Sequence, residues 1–100
     1  MEGPIFYPSP LKHMFYVYIL KSKKDESRYI GFAVNLRDRM RKHNAGFVVS
    51  TKNLRPLALV YYEAYRSKTD ALIREKQLKR FAKGFTSLKS RLKHSLMLEG

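Results

Sequence analysis

The feature that most constrains this chain is its longest uninterrupted apolar run, the seven residues 14–20, Met-Phe-Tyr-Val-Tyr-Ile-Leu. Seven residues fall far short of the roughly 20 needed to span a bilayer as a helix. In a strand, successive side chains point to opposite faces, so an unbroken aromatic and β-branched run is apolar on both. Residues 15–21 therefore read as a buried central strand. The rest of the 100-residue chain has to supply its neighbours, within one domain with a modest core.

The polar stretch 22–27 reads as a turn and 28–33 as a second strand, which together make a β-hairpin. Tyr29 and Gly31 share one face of that strand, Ile30 and Phe32 the other. Gly31 has no side chain to bury, which points to close approach by a ligand or another backbone. Asn35 is a good N-cap for a helix over roughly 36–44, closed by Gly46. Residues 47–56 form a mixed connection whose apolar start, Phe47-Val48-Val49, is expected to pack back on the core. Pro56 then precedes a third strand over 57–65. Ser67 and Asp70 stand at capping-box spacing, and a second helix runs to about 81–83 with Gly84 as its stop. Thr86 or Ser87 caps a third helix carrying Leu88, Leu92 and Leu96. The expected fold is α/β of the α+β type: a three-stranded, mainly antiparallel sheet flanked by helices, in the order β-β-α-β-α-α. Residues 1–13, with Pro4, Pro8 and Pro10, read as an irregular extension, and 14–100 as the single domain.

Charge narrows the partners. Twenty-one Lys and Arg stand against eight Asp and Glu, a formal +13. Such an excess favours nucleic acid, an anionic membrane or an acidic protein, while 44% hydrophobic residues exclude a disordered basic tail. There is no cysteine, hence no disulfide framework, thiolate metal site or thiol nucleophile, and three histidines make a zinc site a poor expectation. The N-terminus carries no signal-peptide pattern, so a cytoplasmic, bacterial protein is expected. The basic residues group as Arg37, Arg41 and Lys42 on the first helix and as Lys76, Lys79, Arg80, Lys89, Arg91 and Lys93 in the C-terminal third. These are either a solvated face or a surface that tracks phosphates. Helices that also build the core are poorly suited to lying on a membrane.

Several residues stand out chemically. Arg39 and His43 lie one helical turn apart, beside the apolar stripe of Leu36 and Met40. Arg39 either snorkels along the core edge or forks onto a phosphate; His43 is otherwise a satisfied surface histidine. Glu75 falls on the inward face marked by Ala71, Leu72 and Leu78, where a carboxylate needs a partner or a purpose: a salt bridge, or a hard-oxygen ligand for Mg²⁺. Tyrosines mostly pack in strands, yet if the hairpin strands pair, Tyr18 and Tyr29 present hydroxyls to one site.

Together the residues resemble the GIY-YIG nuclease family, in particular small single-domain bacterial members related to the N-terminal nuclease domain of the UvrC repair protein. The resemblance covers about residues 14–88. It rests on Tyr16-Val17-Tyr18 and Tyr29-Ile30-Gly31 at the family spacing, on Asn35-Leu36, Arg39 and His43-Asn44, and on Arg74-Glu75-Lys76-Gln77-Leu78. Ser50-Thr51-Lys52, Arg55-Pro56 and Tyr61-Tyr62-Glu63 are similar to the small subgroup. The chain departs from the family at Tyr16, where a Gly is usual, at Ala33, often a hydroxyl residue, and in having no Asn beyond Asn53. The resemblance implies a metal-dependent endonuclease acting on nucleic acid, DNA sooner than RNA, in repair or processing, with Mg²⁺ or Mn²⁺. It implies Glu75 as the metal ligand, Arg39 as the residue holding the scissile phosphate, Tyr18 and Tyr29 as the tyrosines that activate or position water, and His43 as a proton-handling or orienting side chain. A non-catalytic nucleic-acid binder on the same fold is the alternative.

Overall fold

The computed structural model describes residues 14–98 except Phe81, and side chains outside residues 81–86. The expected extension over 1–13 lies outside the described residues. The elements are β1 (Phe15–Ser22), β2 (Arg28–Ala33), α1 (Leu36–Asn44), a 3₁₀ turn (Lys52–Leu54), β3 (Leu57–Tyr65), α2 (Lys68–Arg80), α3 (Ala82–Arg91) and α4 (Lys93–Met97). The strands form one antiparallel sheet in the order β2-β1-β3, so the doubly apolar strand is central.

The alternation along β1 creates two cores. Val17 and Ile19 pack with Ala71, Leu78, Leu88, Leu92 and Leu96 from α2, α3 and the last turns of the chain. Tyr18 and Leu20 pack on the other face with Ala33, Leu57 and Leu54, and with Leu36 and Met40 of α1. A register shift opposite Ile19 and Leu20 lets β3 keep apolar residues on both faces.

The caps follow the sequence. The Asn35 side chain accepts from Asp38 N at 3.0 Å, and Gly46 takes a φ of +84° to end α1. Ser67 Oγ accepts from Asp70 N at 3.1 Å. Three expectations need correction. Gly84 does not stop a helix: α2 ends at Arg80, and Gly84, Thr86 and Ser87 lie inside α3. The leucine-bearing helix is divided at Leu92, which opens α4. Of Phe47-Val48-Val49, Val48 alone packs inward, because the turn in which Thr51 N bonds to Val48 O leaves its neighbours facing solvent.

A half-buried carboxylate ties α2 to the sheet. Tyr61, Glu63 and Tyr65 project from one face of β3, and both phenol hydroxyls donate to Glu63. Arg74 completes the shell with a bidentate fork, Nε to Oε1 at 2.9 Å and Nη2 to Oε2 at 3.0 Å. Burial pushes the Glu63 pKa up, but the bonds from Arg74, Tyr61 and Tyr65 outweigh it and hold the carboxyl below its ordinary value. The same carboxylate and burial push Tyr61 and Tyr65 up to about 12. Removing Glu63 would strand the arginine and both hydroxyls. Glu63→Ala should cost about 2 kcal/mol, discounted for the partial exposure of the pair, as read by urea denaturation at pH 7. Because the folded carboxyl titrates below the unfolded one, its contribution is complete at neutral pH and is lost as pH falls below 4.5.

Candidate active site

Tyr18 starts the site. Its register partner on β2 is Gly31, and its ring lies over that residue: a Cβ placed on Gly31 would sit 2.4 Å from Cζ and from the hydroxyl oxygen of Tyr18. The close approach read from Gly31 is thus made by a tyrosine side chain. Tyr29 pairs with Leu20 and stands diagonally from Tyr18 on the same face, ring centroids 6.4 Å apart.

His43 closes the group from α1. Its ring stands edge-on to both tyrosines, at 5.6 Å from Tyr18 and 5.3 Å from Tyr29. Far from being a surface histidine, it is fully buried, as are Tyr18 and Thr51. Tyr18 Oη lies 2.7 Å from Nε2, and Thr51 Oγ1 lies 2.7 Å from Nδ1. Thr51 Oγ1 in turn lies 3.5 Å from the Val48 carbonyl oxygen. A carbonyl can only accept, so the network is satisfied in one direction: Thr51 donates to Val48, His43 Nδ1–H to Thr51, and Tyr18 O–H to His43 Nε2. Burial first, and then the nearby Arg39 charge, lower the His43 pKa to about 4. The imidazole is therefore neutral at physiological pH and serves as an acceptor for Tyr18.

Arg39 lies one turn before His43 on α1. Its guanidinium sits beside both phenols, and the hydrogen-bonding contact with Tyr18 raises its pKa further. Its Nε is buried and has no hydrogen-bond partner among the described residues. Burial raises the Tyr18 pKa; Arg39 opposes the rise, while Tyr29 and Glu75 add to it. Tyr18 is therefore a neutral phenol at pH 7.

Glu75 arrives from the other layer. Ala71 and Leu78 are buried, and Glu75 lies between them at i+4 and i−3; Leu72 falls to one side of this stripe and is exposed, contrary to the sequence expectation. The Glu75 carboxylate comes within electrostatic reach of the Tyr18 hydroxyl and pairs with Lys79 at 2.9 Å. Consecutive residues of α2 thus serve opposite edges of the sheet, Arg74 at β3 and Glu75 towards the pairing of β1 with β2.

The basic residues do not form one stripe. Arg37, Arg41 and Lys42 lie on the α1 layer, where Arg41 and Lys42 both pair with Asp38. Lys76, Lys79, Arg80, Lys89, Arg91 and Lys93 lie on the opposite layer, with Lys79 held by Glu75. Among the described residues no cluster of three or more metal-type side chains occurs, and no helix is long and apolar enough to cross a membrane. Sequence reasoning named Thr51, Glu63 and Arg74 within the resemblance but gave none of these three residues a role. Thr51 holds His43, and Glu63 with Arg74 fixes α2. A carboxylate among the aromatic residues of a strand was the available signal for Glu63.

The buried imidazole makes a pH prediction. Its folded pKa of about 4 lies below its ordinary 6.5, so its contribution is complete above 6.5 and is lost as pH falls towards 4, by about 3 kcal/mol at most. Urea midpoints of the wild type should begin to drop below pH 6.5, well before Glu63 starts to titrate below 4.5, and His43→Asn should show a flatter profile between those values.

A sequence model of the GIY-YIG catalytic domain matches residues 14–85. The chain is 45% identical to the UPF0213 protein SH2523 of Staphylococcus haemolyticus over 69 residues, 68% of this chain and 83% of that protein. It is 42% identical to the UPF0213 protein CPE1444 of Clostridium perfringens over 71 residues, 70% and 75% of the two chains. A solution NMR structure of the UPF0213 protein BH0048 from Bacillus halodurans is 30% identical and covers 86% of this chain and 99% of that one, with a TM-score of 0.48.

Proposed function

From the premise that this chain belongs to the GIY-YIG domain family, a family of nucleases, we propose that it is a metal-dependent endonuclease that hydrolyses phosphodiester bonds, with DNA in repair or processing as its first candidate substrate. The observation that carries this reading is the buried Arg39 Nε, a donor without an acceptor among the described residues, set beside two phenols, a neutral imidazole and a carboxylate. A phosphate oxygen is the acceptor that a planar, permanently charged guanidinium suits best.

The residues divide the work. Arg39 would hold the scissile phosphate and stabilise the charge that builds on it. Tyr18 is hard to ionise and His43 hard to protonate, so this pair is better suited to orientation than to proton removal. Tyr29 remains partly accessible, which supports it as the phenol that would orient an attacking water. Glu75 supplies one hard carboxylate. That donor fits Mg²⁺ or Mn²⁺, since Mg²⁺ commonly takes one or two protein carboxylates and fills its shell with water and substrate phosphate. When bound, such an ion would lower the pKa of its water and neutralise developing charge.

The competing reading, a nucleic-acid binder without catalysis, draws on the Lys79 ammonium that occupies Glu75. An exposed i,i+4 ion pair of this kind is worth only a few tenths of a kcal/mol, so a divalent ion can displace it.

The test is cleavage and binding by the wild type, Glu75→Gln and Arg39→Ala on branched, single-stranded and duplex substrates, with Mg²⁺, Mn²⁺ or EDTA. The wild type should cleave only with metal, and either substitution should lower the rate by about 10²-fold or more. Glu75→Gln should keep or tighten binding, because a negative charge leaves a basic site. Equal cleavage by wild type and Glu75→Gln would sink the assignment of the metal ligand. Binding without cleavage on every substrate would leave the non-catalytic reading.

A further inference from the structure

A concave site lies at the hairpin end of the sheet, away from Tyr18 and His43. It is a cavity of about 830 Å³ bounded by Lys21, Lys23, Glu26, Arg28, Lys89 and Lys93, with Leu96, Met97 and Leu98 along one wall. Among the described lining residues are five cations and one carboxylate, with Lys89 already engaged in an interaction of its own. Lys21 is the built part of the site. It is 8% exposed, donates to the Leu96 carbonyl at 2.9 Å and pairs with Glu26 at 3.4 Å. An ammonium has three donors, and these contacts use two. Among the described residues, Lys23, Arg28 and Lys93 have no carboxylate partner.

The chemistry of the lining selects the occupant. A simple anion would need the cations but not the apolar wall, and the cavity is far larger than one phosphate. A nucleotide strand presents both phosphates and apolar sugar and base surfaces. A membrane would meet a flat or protruding surface better than a hollow. The position also fits a strand leaving the candidate active site. Lys21 follows Tyr18 by three residues on β1, roughly 10 Å at about 3.3 Å per residue. It projects from the opposite face of the sheet, with Val17 and Ile19. Rigid duplex cannot turn around the hairpin over so short a distance, whereas a single strand can.

We propose that this cavity binds the phosphates of a single-stranded flank of the substrate, which makes branched or tailed nucleic acids, rather than blunt duplex, the preferred class. This inference rests on the nuclease-family reading of the Tyr18 site. It assigns Lys21, Lys23 and Arg28, none of which that site uses.

The experiment compares binding, in EDTA, of a short blunt duplex and of the same duplex carrying a single-stranded tail of about a dozen nucleotides, over a range of salt. The wild type should prefer the tailed duplex by tenfold or more. In Lys23→Ala/Arg28→Ala, which removes two exposed side chains and should leave the fold intact by circular dichroism, that preference should shrink towards one. The slope of log affinity against log salt for the tailed duplex should fall by about 1.4, at about 0.7 per single-strand phosphate contact. An undiminished tail preference in the double variant overturns the proposal. Wild type that binds both duplexes equally also overturns it, while leaving the nuclease reading intact. Wild type that binds neither removes the nucleic-acid reading and this occupant together. Loss of binding to phosphatidylserine vesicles without any change in tail preference would reassign the cavity to a lipid surface.

Discussion

The shell around Glu63 is the interaction on which the rest of this structure depends. A carboxylate half-buried between a strand and a helix must be satisfied or it destabilises the fold. Here two tyrosines of its own strand and the fork of Arg74 satisfy it. A bidentate fork is directional, so it sets how α2 is rotated as well as where it lies. Glu75 is the next residue. Helical geometry carries it about 100° around the axis from Arg74 and towards the β1–β2 pairing. The clamp at one edge of the sheet therefore decides where the carboxylate arrives at the other.

A second polar chain, through Tyr18, His43, Thr51 and Val48, performs the same service from the α1 side. It joins β1, a helix and the connection before the 3₁₀ turn through side chains that are all out of solvent. Buried networks that are fully satisfied specify one arrangement, because any displacement leaves a donor or acceptor bare. The cost appears in titration: His43 is driven well below its ordinary range and Tyr18 above it. Both groups are held in their neutral forms, and Arg39 is the permanent charge beside them.

The distribution of positive charge follows from this two-layer construction. With α1 on one face and α2 to α4 on the other, a total charge of +13 cannot collect on one surface. Part of it is spent on local pairs, as at Asp38 and Glu75. Five of the cations line the cavity at the hairpin end, where Lys21 is buried and donates to the Leu96 carbonyl. The proposed single-stranded flank would have to pass around the sheet to touch both regions, which a flexible strand can do and a rigid duplex cannot.

Periodicity, turn residues and caps together determined the strands, the first helix, the start of the second, the antiparallel hairpin and the placing of Tyr18 and Tyr29 on one face. Those properties depend on alternation and helical repeat within a few residues, which the chain states directly. The candidate chemistry was legible through the resemblance that the tyrosine motifs carry together with Arg39, His43 and Glu75; taken singly, each of these residues fitted a structural role as well. The environment of each group was decided by tertiary structure. His43 read as a surface residue until Thr51 and Tyr18, eight positions later and 25 earlier, enclosed it. Gly31 proclaimed a close neighbour without naming Tyr18. Leu72 and Gly84 followed local rules that packing overrode, since the rotation of α2 is set by Glu63 and helical structure resumes at Ala82 and runs through Gly84. Burial, pKa and the meeting of distant side chains are properties of the space between elements. A linear pattern prescribes which residues are able to meet there, and only the packed sheet and helices decide which of them do.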